Sequence, residues 1–327
     1  MSPPPPYVTD AELRNGRSGG LTYRATARHW IKTLELGGKG KDVTPKKLAT
    51  FPNVIAVNLA SNSKCDFAYL LGCIAALPTV QRLDLAWNEF TSIPREITLL
   101  KGLRYLKLTR NKLAKLGPEI FELPWLEFLC LAGNSLKEIP ERLGDLQLLR
   151  HLELWDNKIH KLPDAIRRLQ GLELLRADSN KPLDVNDAID KIQQMPRLER
   201  LDLSESGSTR PLVVNDALCK CRSLRWLGLG WMKISKLPSA IGDLTQLEYL
   251  ELTGNELTEL PASIIALQNL EDLSLNKNPL PAKKTCALLG KLTRLKHVTV
   301  RADDQEWERH LLPLGFLRTG SEDFRRA

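Results

Sequence analysis

The sequence predicts an α/β solenoid, in which a curved parallel β-sheet forms the concave face and short helical, 3-10 or extended returns form the convex face. Three observations lead to this fold. Short segments with alternating leucines recur every 23 to 26 residues, an asparagine follows most of them at a fixed distance, and prolines interrupt the stretches in between. Alternation with period two is typical of a strand with one buried face, and its regular recurrence indicates units stacked along one axis.

The repeating unit has the pattern L-x-x-L-x-L-x-x-N-x-L. One such unit cannot bury its own leucines, so each must stack on its neighbours, and about 12 repeats are predicted. The best copies begin at Leu103, Leu126, Leu149, Leu247 and Leu270, and weaker copies begin at Ile31, Val54, Val80, Leu172, Leu198, Leu224 and Leu295.

The asparagine of each unit lies where the chain leaves the strand and turns. Its amide both donates and accepts hydrogen bonds, so it can pair with turn backbone groups that would otherwise be buried without partners. Stacking of the repeats therefore predicts an asparagine ladder, which is interrupted at Ser206 and Met232. The ladder residues are Asn62, Asn88, Asn111, Asn134, Asn157, Asn180, Asn255 and Asn278.

The segments between the strands fall into two classes. The 23-residue units carry the pattern [I/L]-P-x-x-[I/L], as at Ile93-Pro94 and Leu162-Pro163, and proline there favours short extended or 3-10 returns over a long helix. Two 26-residue units have helical spacing and an Asn or Asp suited to capping, which predicts helices within 67–77 and 185–195.

This combination of repeat and return resembles the leucine-rich repeat family over roughly residues 31–302, and within it the intracellular Ras-group branch that includes the Ras suppressor and Scribble-type scaffolds. The resemblance implies a non-enzymatic protein–protein interaction module or scaffold in signalling, whose partners are small GTPases, phosphatases or other signalling proteins. Similar repeats occur in bacterial proteins, so a bacterial effector or regulatory protein that recruits or modulates a signalling enzyme is an alternative.

The two ends of the chain differ from the repeats. Residues 1–28 are rich in Pro, Gly and Arg and are predicted to form a flexible tail, whereas 29–302 form the solenoid with the first repeat as an N-terminal cap. A solenoid needs both open ends covered, which predicts a C-terminal cap at 303–327. The apolar side chains expected to supply this cover are Trp307, Leu311, Leu312, Leu314, Phe316 and Leu317.

Composition and charge limit the possible partners. The chain has 47 Lys and Arg against 39 Asp and Glu, no apolar run of membrane-spanning length and no secretory signal at its start, so we expect a cytoplasmic, monomeric protein that does not bind membranes. The excess positive charge lies in 1–53 and 281–327, not along the repeats, which disfavours a nucleic-acid trough. Nucleic-acid or carbohydrate binding on the aromatic concave face remains an alternative.

The candidate protein-binding residues lie on the predicted concave face, in the strands or at their ends. Exposed Trp, Tyr and Arg are the side chains that dominate protein-binding hot spots, although aromatic residues on a sheet can also serve only to shield their cross-strand neighbours. The candidates are Arg82, Trp87, Tyr105, Arg110, Phe128, His151, Trp155, Arg176, Arg200, Trp226, Trp231 and Tyr249.

No catalytic, cofactor or metal site is predicted. The six cysteines form no C-x-x-C pair and the five histidines are scattered, so neither a metal cluster nor a nucleophile with its base can be assembled, and we expect no enzyme activity. The glycine- and lysine-rich run 37–41 lacks the spacing of a phosphate-binding loop. Cys130 is predicted to be an accessible thiol on the concave sheet, while most other cysteines are expected to be buried.

Overall fold

A computed structural model describes residues 33–36, 53–207, 212–301 and 305–326. Within these ranges, fourteen short strands form one sheet, of which the first twelve are parallel and the last two form an antiparallel hairpin. The predicted tail at 1–28, the predicted start of the first repeat at Ile31, and the run at 37–41 lie outside the described residues.

The strands are three residues long in most repeats, and each lies at the predicted place in its unit. The main-sheet strands are β1 (Thr33–Glu35), β2 (Ala56–Asn58), β3 (Arg82–Asp84), β4 (Tyr105–Lys107), β5 (Phe128–Cys130), β6 (His151–Glu153), β7 (Leu174–Arg176), β8 (Arg200–Asp202), β10 (Trp226–Gly228), β12 (Tyr249–Glu251), β13 (Asp272–Ser274), β14 (His297–Thr299), β15 (Phe316–Arg318) and β16 (Asp323–Arg326). On the convex side, β9 (Leu212–Val213) pairs with β11 (Ile234–Lys236).

The register of the sheet brings equivalent positions of all repeats side by side. The central leucine of each strand pairs with the central residue of the next, as Leu106 does with Leu83 on one side and Leu129 on the other. These side chains are fully buried, and they form one continuous core that extends along the array from Leu34 to Phe324. The first and third residues of each strand are thereby left on the concave face.

The asparagine ladder is confirmed. Nδ2 of Asn157 donates to the carbonyl of Leu154 in its own repeat (2.9 Å) and to that of Leu131 in the preceding repeat (3.0 Å). Its Oδ1 accepts from the Leu136 N–H at 3.0 Å. The other ladder asparagines are buried and donate to equivalent carbonyls, so each asparagine connects its own repeat to the preceding one at the same turn.

The two interruptions of the ladder differ as their side chains predict. The hydroxyl of Ser206 donates to the Ala177 carbonyl (2.8 Å) and accepts from the Asn180 N–H (3.1 Å), so it replaces part of the amide's bonding. Met232 is buried and its side chain contributes only apolar contacts, whereas its backbone N–H is satisfied by Oδ1 of Asn255 at 3.1 Å.

The residue that precedes each ladder position has a left-handed backbone, with φ between 54° and 70°. This conformation is costly for residues other than glycine, and it persists because the ladder hydrogen bonds fix the turn on both sides. These turn residues lie at the carboxyl ends of the strands, where large side chains such as Trp87 and Trp231 extend into solvent. The set comprises Ser61, Trp87, Arg110, Gly133, Asp156, Ser179, Glu205, Trp231, Gly254 and Lys277.

The convex returns follow the two predicted classes. Helices α1 (Phe67–Ala75) and α2 (Val185–Ile192) occupy the two predicted segments, and the carboxylates of Asp66 and Asp184 accept the first free N–H groups. A further helix, α3 (Ala282–Leu289), begins after Pro281 and was missed by the sequence analysis. The 3-10 helices are Arg95–Leu99, Pro118–Glu122, Glu141–Asp145, Asp164–Arg168, Asp216–Lys220, Ile241–Asp243, Ala262–Ala266 and Leu312–Leu314.

The carboxyl end of the array is covered by helix α4 (Gln305–Leu311) and the β15–β16 hairpin. Strand β16 pairs with β14 in the antiparallel direction. Four apolar side chains of this segment are buried, Trp307, Leu311, Phe316 and Phe324, whereas Leu312 and Leu317 are exposed and do not contribute to the cover. The division into 1–28, 29–302 and 303–327 stays a prediction. None of the described helices is both long enough and apolar enough to cross a lipid bilayer.

The prediction of an accessible thiol at Cys130 is wrong. Its side chain is only 2% exposed, because Thr109 and Glu153 of the flanking repeats cover it, with Oγ 3.1 Å and Oε2 3.3 Å from the sulfur. Burial and the neighbouring Glu153 carboxylate disfavour the thiolate and raise the pKa of Cys130 to about 12.

We expect replacement of Asn157 by leucine to destabilise the protein by about 2 kcal/mol, because the buried N–H of Leu136 loses its acceptor. The buried carbonyls of Leu131 and Leu154 each lose one of their two amide donors and keep the other, from Asn134 and Asn180. The matched control is Met232→Leu at a ladder position without side-chain hydrogen bonds, which should cost less than about 1.5 kcal/mol. Urea denaturation of the three proteins measures both values. Equal losses would show that the ladder position contributes only packing.

The different exposure of Cys65 and Cys130 leads to a second prediction. A chromogenic disulfide reagent at pH 8 should modify Cys65, which is partly exposed, and leave Cys130 unmodified until the protein unfolds, because only about one part in 10,000 of a thiol with a pKa near 12 is ionised. Cys65→Ser should abolish the native-state reaction and Cys130→Ser should leave it unchanged. Rapid native labelling at Cys130 would contradict the buried position.

Candidate functional site

The concave surface consists of the first and third residues of the parallel strands, together with the turn residues at the strand ends. Its first-position column carries most of the aromatic side chains. From the amino-terminal end, this column reads Ala56, Arg82, Tyr105, Phe128, His151, Leu174, Arg200, Trp226, Tyr249, Asp272 and His297. Apart from Ala56, all of these side chains are partly exposed, because neighbouring members of the column cover each other's faces.

One aromatic stack, which we call the amino-terminal stack, lies on β3, β4 and β5. The guanidinium carbon of Arg82 lies 4.2 Å from the centroid of the Tyr105 ring, and the Tyr105 ring lies flat on Phe128 with centroids 4.1 Å apart. His151 continues the column, tilted, at 6.0 Å from Phe128. Burial lowers the pKa of His151, so its imidazole is neutral at pH 7 despite the nearby Glu173 carboxylate.

A second stack of the same kind, the carboxyl-terminal stack, lies on β8, β10 and β12. Arg200 covers the Trp226 ring at 4.2 Å, and Trp226 is nearly parallel to Tyr249 with centroids 5.1 Å apart. Gly228 makes this arrangement possible, because a Cβ atom there would lie 2.7 Å from the indole ring of Trp226. A side chain at position 228 would therefore force the ring out of the stack.

A second row of large side chains lies at the carboxyl ends of the strands, where Trp87 and Arg110 of the turns are followed by Trp155, just after β6, and Arg176, the last residue of β7. The guanidinium of Arg110 lies 5.9 Å from the Trp87 ring and 5.8 Å from the Trp155 ring, and that of Arg176 lies 5.3 Å from the Trp155 ring. Trp87 is 60% exposed. These cation–π contacts hold the large side chains in fixed orientations on the concave face.

Trp231 lies farther along the same row and is half exposed. Its ring lies across Gly254 of the next repeat, where a Cβ atom would overlap it, and the ammonium of Lys277 lies 4.7 Å from the ring. The glycine therefore provides the flat surface on which the indole rests.

A buried charge cluster occupies the middle of the concave surface. Arg176 forms two hydrogen bonds of 3.2 Å to the carboxylate of Asp178 and lies 3.8 Å from that of Asp202. Two carboxylates therefore share one guanidinium. Burial, together with the charge of Asp202, raises the pKa of Asp178 to about 6 although Arg176 acts in the opposite direction.

The structure brings eleven of the twelve predicted residues into three groups: the two stacks, and the row of Trp87, Arg110, Trp155 and Arg176. Trp231 stands apart, near the carboxyl-terminal stack in sequence but on the turn row. Their role in binding stays a prediction. Among the described residues, no three His, Cys, Asp or Glu side chains are grouped to hold a metal ion.

One extension of the concave surface was not predicted from the sequence. Asp323 and Arg325 of β16 pair in register with Thr299 and His297, so the antiparallel hairpin adds charged side chains beyond the last parallel strand. The alternation around the buried Phe324 is the signal that could have revealed them. With Tyr249, Asp272, Ser274, His297 and Thr299 they line a cleft of about 180 Å³.

Comparison with known proteins identifies a family and several solved structures that share this architecture. The family model for the leucine-rich repeat region matches residues 120–216 and 212–319. A search of curated proteins finds no significant sequence match. Solved structures with the same fold include an internalin, inlF, from Listeria monocytogenes, with a TM-score of 0.58, 20% identity, and 84% of this chain aligned with 88% of that chain.

Two further solved structures are also similar in fold. The TLR13–ssRNA13 complex has a TM-score of 0.64 at 22% identity, with 83% of this chain aligned with 43% of that chain. The ectodomain of the receptor kinase GASSHO1/SCHENGEN3 from Arabidopsis thaliana, solved with CASPARIAN STRIP INTEGRITY FACTOR 2, has a TM-score of 0.56 at 22% identity, with 82% aligned with 37%. The stacked strands, the asparagine ladder and the family match together establish that this chain belongs to the leucine-rich repeat family.

Proposed function

We propose that this chain is a non-enzymatic protein-interaction module that binds a partner protein on its concave surface. Leucine-rich repeats commonly serve as binding modules, and the observation that carries the proposal here is the alternating row of tryptophan and arginine at the strand ends. The guanidinium of Arg110 lies within cation–π distance of both Trp87 and Trp155, and that of Arg176 lies within cation–π distance of Trp155. Trp and Arg are the residues that contribute most to protein-binding hot spots.

The state of these side chains before binding supports the same role. Each large ring is held by stacking on a guanidinium or another ring, so little conformational entropy remains to be lost when a partner binds. Parallel strands about 4.8 Å apart give twelve repeats a concave length of about 55 Å. This length is sufficient for a standard protein interface of about 800 Å² on each partner.

The charges on the concave surface favour a protein partner over a polyanion. Lys107, Arg110 and Arg176 are each paired with an aspartate of this chain, so their charge is already neutralised. A nucleic-acid site needs cations free to contact consecutive phosphates. A partner that presents both charged and aromatic groups matches the surface better.

The returns support a narrower assignment within the family. The 23-residue repeats at Pro94, Pro140, Pro163 and Pro261 each place a 3-10 helix directly after the proline. We propose on this basis that the chain belongs to the Ras-group branch and acts as a scaffold in signalling inside the cell. Identification of a signalling protein as the concave-face partner would test this assignment.

The charge cluster at the centre of the surface indicates selection for something other than stability. A carboxylate whose pKa is raised by burial weakens the folded state at neutral pH, and Asp178 is such a group. Groups held at a cost to folding are frequent at functional sites. The cluster lies beside Trp155, at the centre of the proposed binding surface.

Replacing Trp87, Trp155 and Trp231 together should weaken partner binding by at least about tenfold without unfolding the protein. Glycine is the appropriate replacement for Trp87 and Trp231, whose φ values are 59° and 58°, and alanine for Trp155. Affinity capture from the source cells with quantitative mass spectrometry identifies the partner, and calorimetry then measures its affinity. Trp125→Ala is the matched control, because Trp125 is 51% exposed at the opposite ends of the strands. Unchanged affinity of the triple variant would refute the proposed surface.

The pKa of Asp178 predicts a specific pH dependence of stability. Between about pH 4 and 6 the folded protein holds this proton more tightly than the unfolded chain, so the free energy of unfolding falls as the pH rises through this range. Asp178→Asn should make this decrease in the free energy of unfolding smaller by about 2 kcal/mol, and it should therefore stabilise the protein at pH 7. Asp156→Asn, which breaks an exposed ion pair with Arg110, should give no such gain. Parallel pH profiles for wild type and Asp178→Asn would contradict the raised pKa.

A further inference from the structure

The arginines of the concave surface are of two kinds. Arg110 and Arg176 are bonded to carboxylates of this chain, at 2.9 Å from Asp156 and 3.2 Å from Asp178. Arg82 and Arg200, in contrast, have no carboxylate oxygen within 4.0 Å of their guanidinium nitrogens among the residues that the structure describes. Within the parallel strands, the two arginines without such a partner are the ones that begin the two aromatic stacks.

The stacks determine which part of each guanidinium can bind a ligand. The guanidinium carbon of Arg82 lies over the Tyr105 ring, 4.2 Å from its centroid, and that of Arg200 lies over the Trp226 ring at the same distance. A stacked guanidinium still directs its N–H groups outward in its own plane, in the fork geometry that matches a carboxylate. Stacking therefore fixes the orientation of a carboxylate-binding edge without occupying it.

Arg200 also carries a cost that folding does not explain. Its Nε atom is buried and has no hydrogen-bond acceptor in the described part of the chain. A buried donor without an acceptor destabilises a protein by about 1–3 kcal/mol. An apolar side chain at this position would cover Trp226 without this cost. Retention of an arginine here therefore points to a role for its terminal N–H groups, because the buried Nε itself is out of reach of a ligand.

The two stacks have a defined separation. Arg82 is the first residue of β3 and Arg200 is the first residue of β8, five strands farther along the sheet. At about 4.8 Å per strand, the two guanidiniums are about 24 Å apart. An extended peptide that follows the sheet covers this distance in about seven residues, and a helix covers it in about sixteen.

We propose that Arg82 and Arg200 are two carboxylate-binding positions, and that the concave-face partner presents aspartate or glutamate side chains at two points about 24 Å apart. This proposal rests on the proposed function, because it specifies the chemistry of the protein that binds the concave surface. The remaining charges of the surface are mixed, so the partner is acidic at these two points and not throughout. The aromatic rings beside each arginine provide an apolar contact for the methylene groups of the same side chains.

Selection of a displayed library of random peptides about 20 residues long against the intact chain tests the proposal, because peptides of that length span about 24 Å even as helices. Peptides selected by the wild type should be enriched in Asp and Glu at two separated positions. Arg82→Gln and Arg200→Gln should each weaken binding of the selected peptides by about tenfold or more. Arg225→Gln is the matched control, since Arg225 is exposed at the opposite ends of the strands and paired with Glu248.

A charge reversal makes the test specific. Selection with the Arg82→Glu/Arg200→Glu double variant should yield peptides enriched in Lys and Arg at the same spacing, with folding of every variant checked by circular dichroism and thermal unfolding. Two outcomes would overturn this proposal and leave the proposed function intact. In the first, the selected peptides need Trp87 and Trp155 for binding but are not enriched in Asp or Glu. In the second, they need the tryptophans but bind equally well when both arginines are replaced. Peptides that bind independently of both the tryptophans and the arginines would refute the proposed function itself. Equal binding by phosphopeptides that lack Asp and Glu would show that the arginines recognise phosphate instead.

Discussion

The structure depends on one requirement: backbone carbonyls buried at the end of every strand need hydrogen-bond donors. Each ladder amide supplies two, one to its own turn and one to the turn before it, as Asn157 does for Leu154 and Leu131. The same bonds fix the left-handed residue that precedes the asparagine. Strand register, turn geometry and the position of the exposed turn side chains all follow from this arrangement.

Stability and recognition are carried by different positions of the same repeat. The leucines at the central strand position are fully buried and form the core, whereas the first strand residue and the turn residue are free to vary. The aromatic and charged side chains at the variable positions then organise one another, as Arg200, Trp226 and Tyr249 do. A binding surface can therefore be built on this fold without any change in its core.

Local patterns in the sequence predicted the local features of the fold well. The strands, the ladder with its interruptions at Ser206 and Met232, and helices α1 and α2 were predicted, because each depends on short-range spacing. The burial of Cys130 was not, because it results from the side chains of the two flanking repeats. The same reason hid the ion pair between Arg110 and Asp156, because a partner in another repeat has no fixed place in the sequence.

The antiparallel hairpin determines how such an array can lengthen. Because β16 occupies the edge of β14, another parallel strand cannot stack directly on the last repeat, and a unit added near this end must be inserted before the hairpin. A unit inserted between β3 and β8 would move the two stacks apart by one strand spacing, about 4.8 Å. The number of intervening repeats thus sets the distance between the two stacks, and gene duplication can change this distance only in steps of one strand spacing.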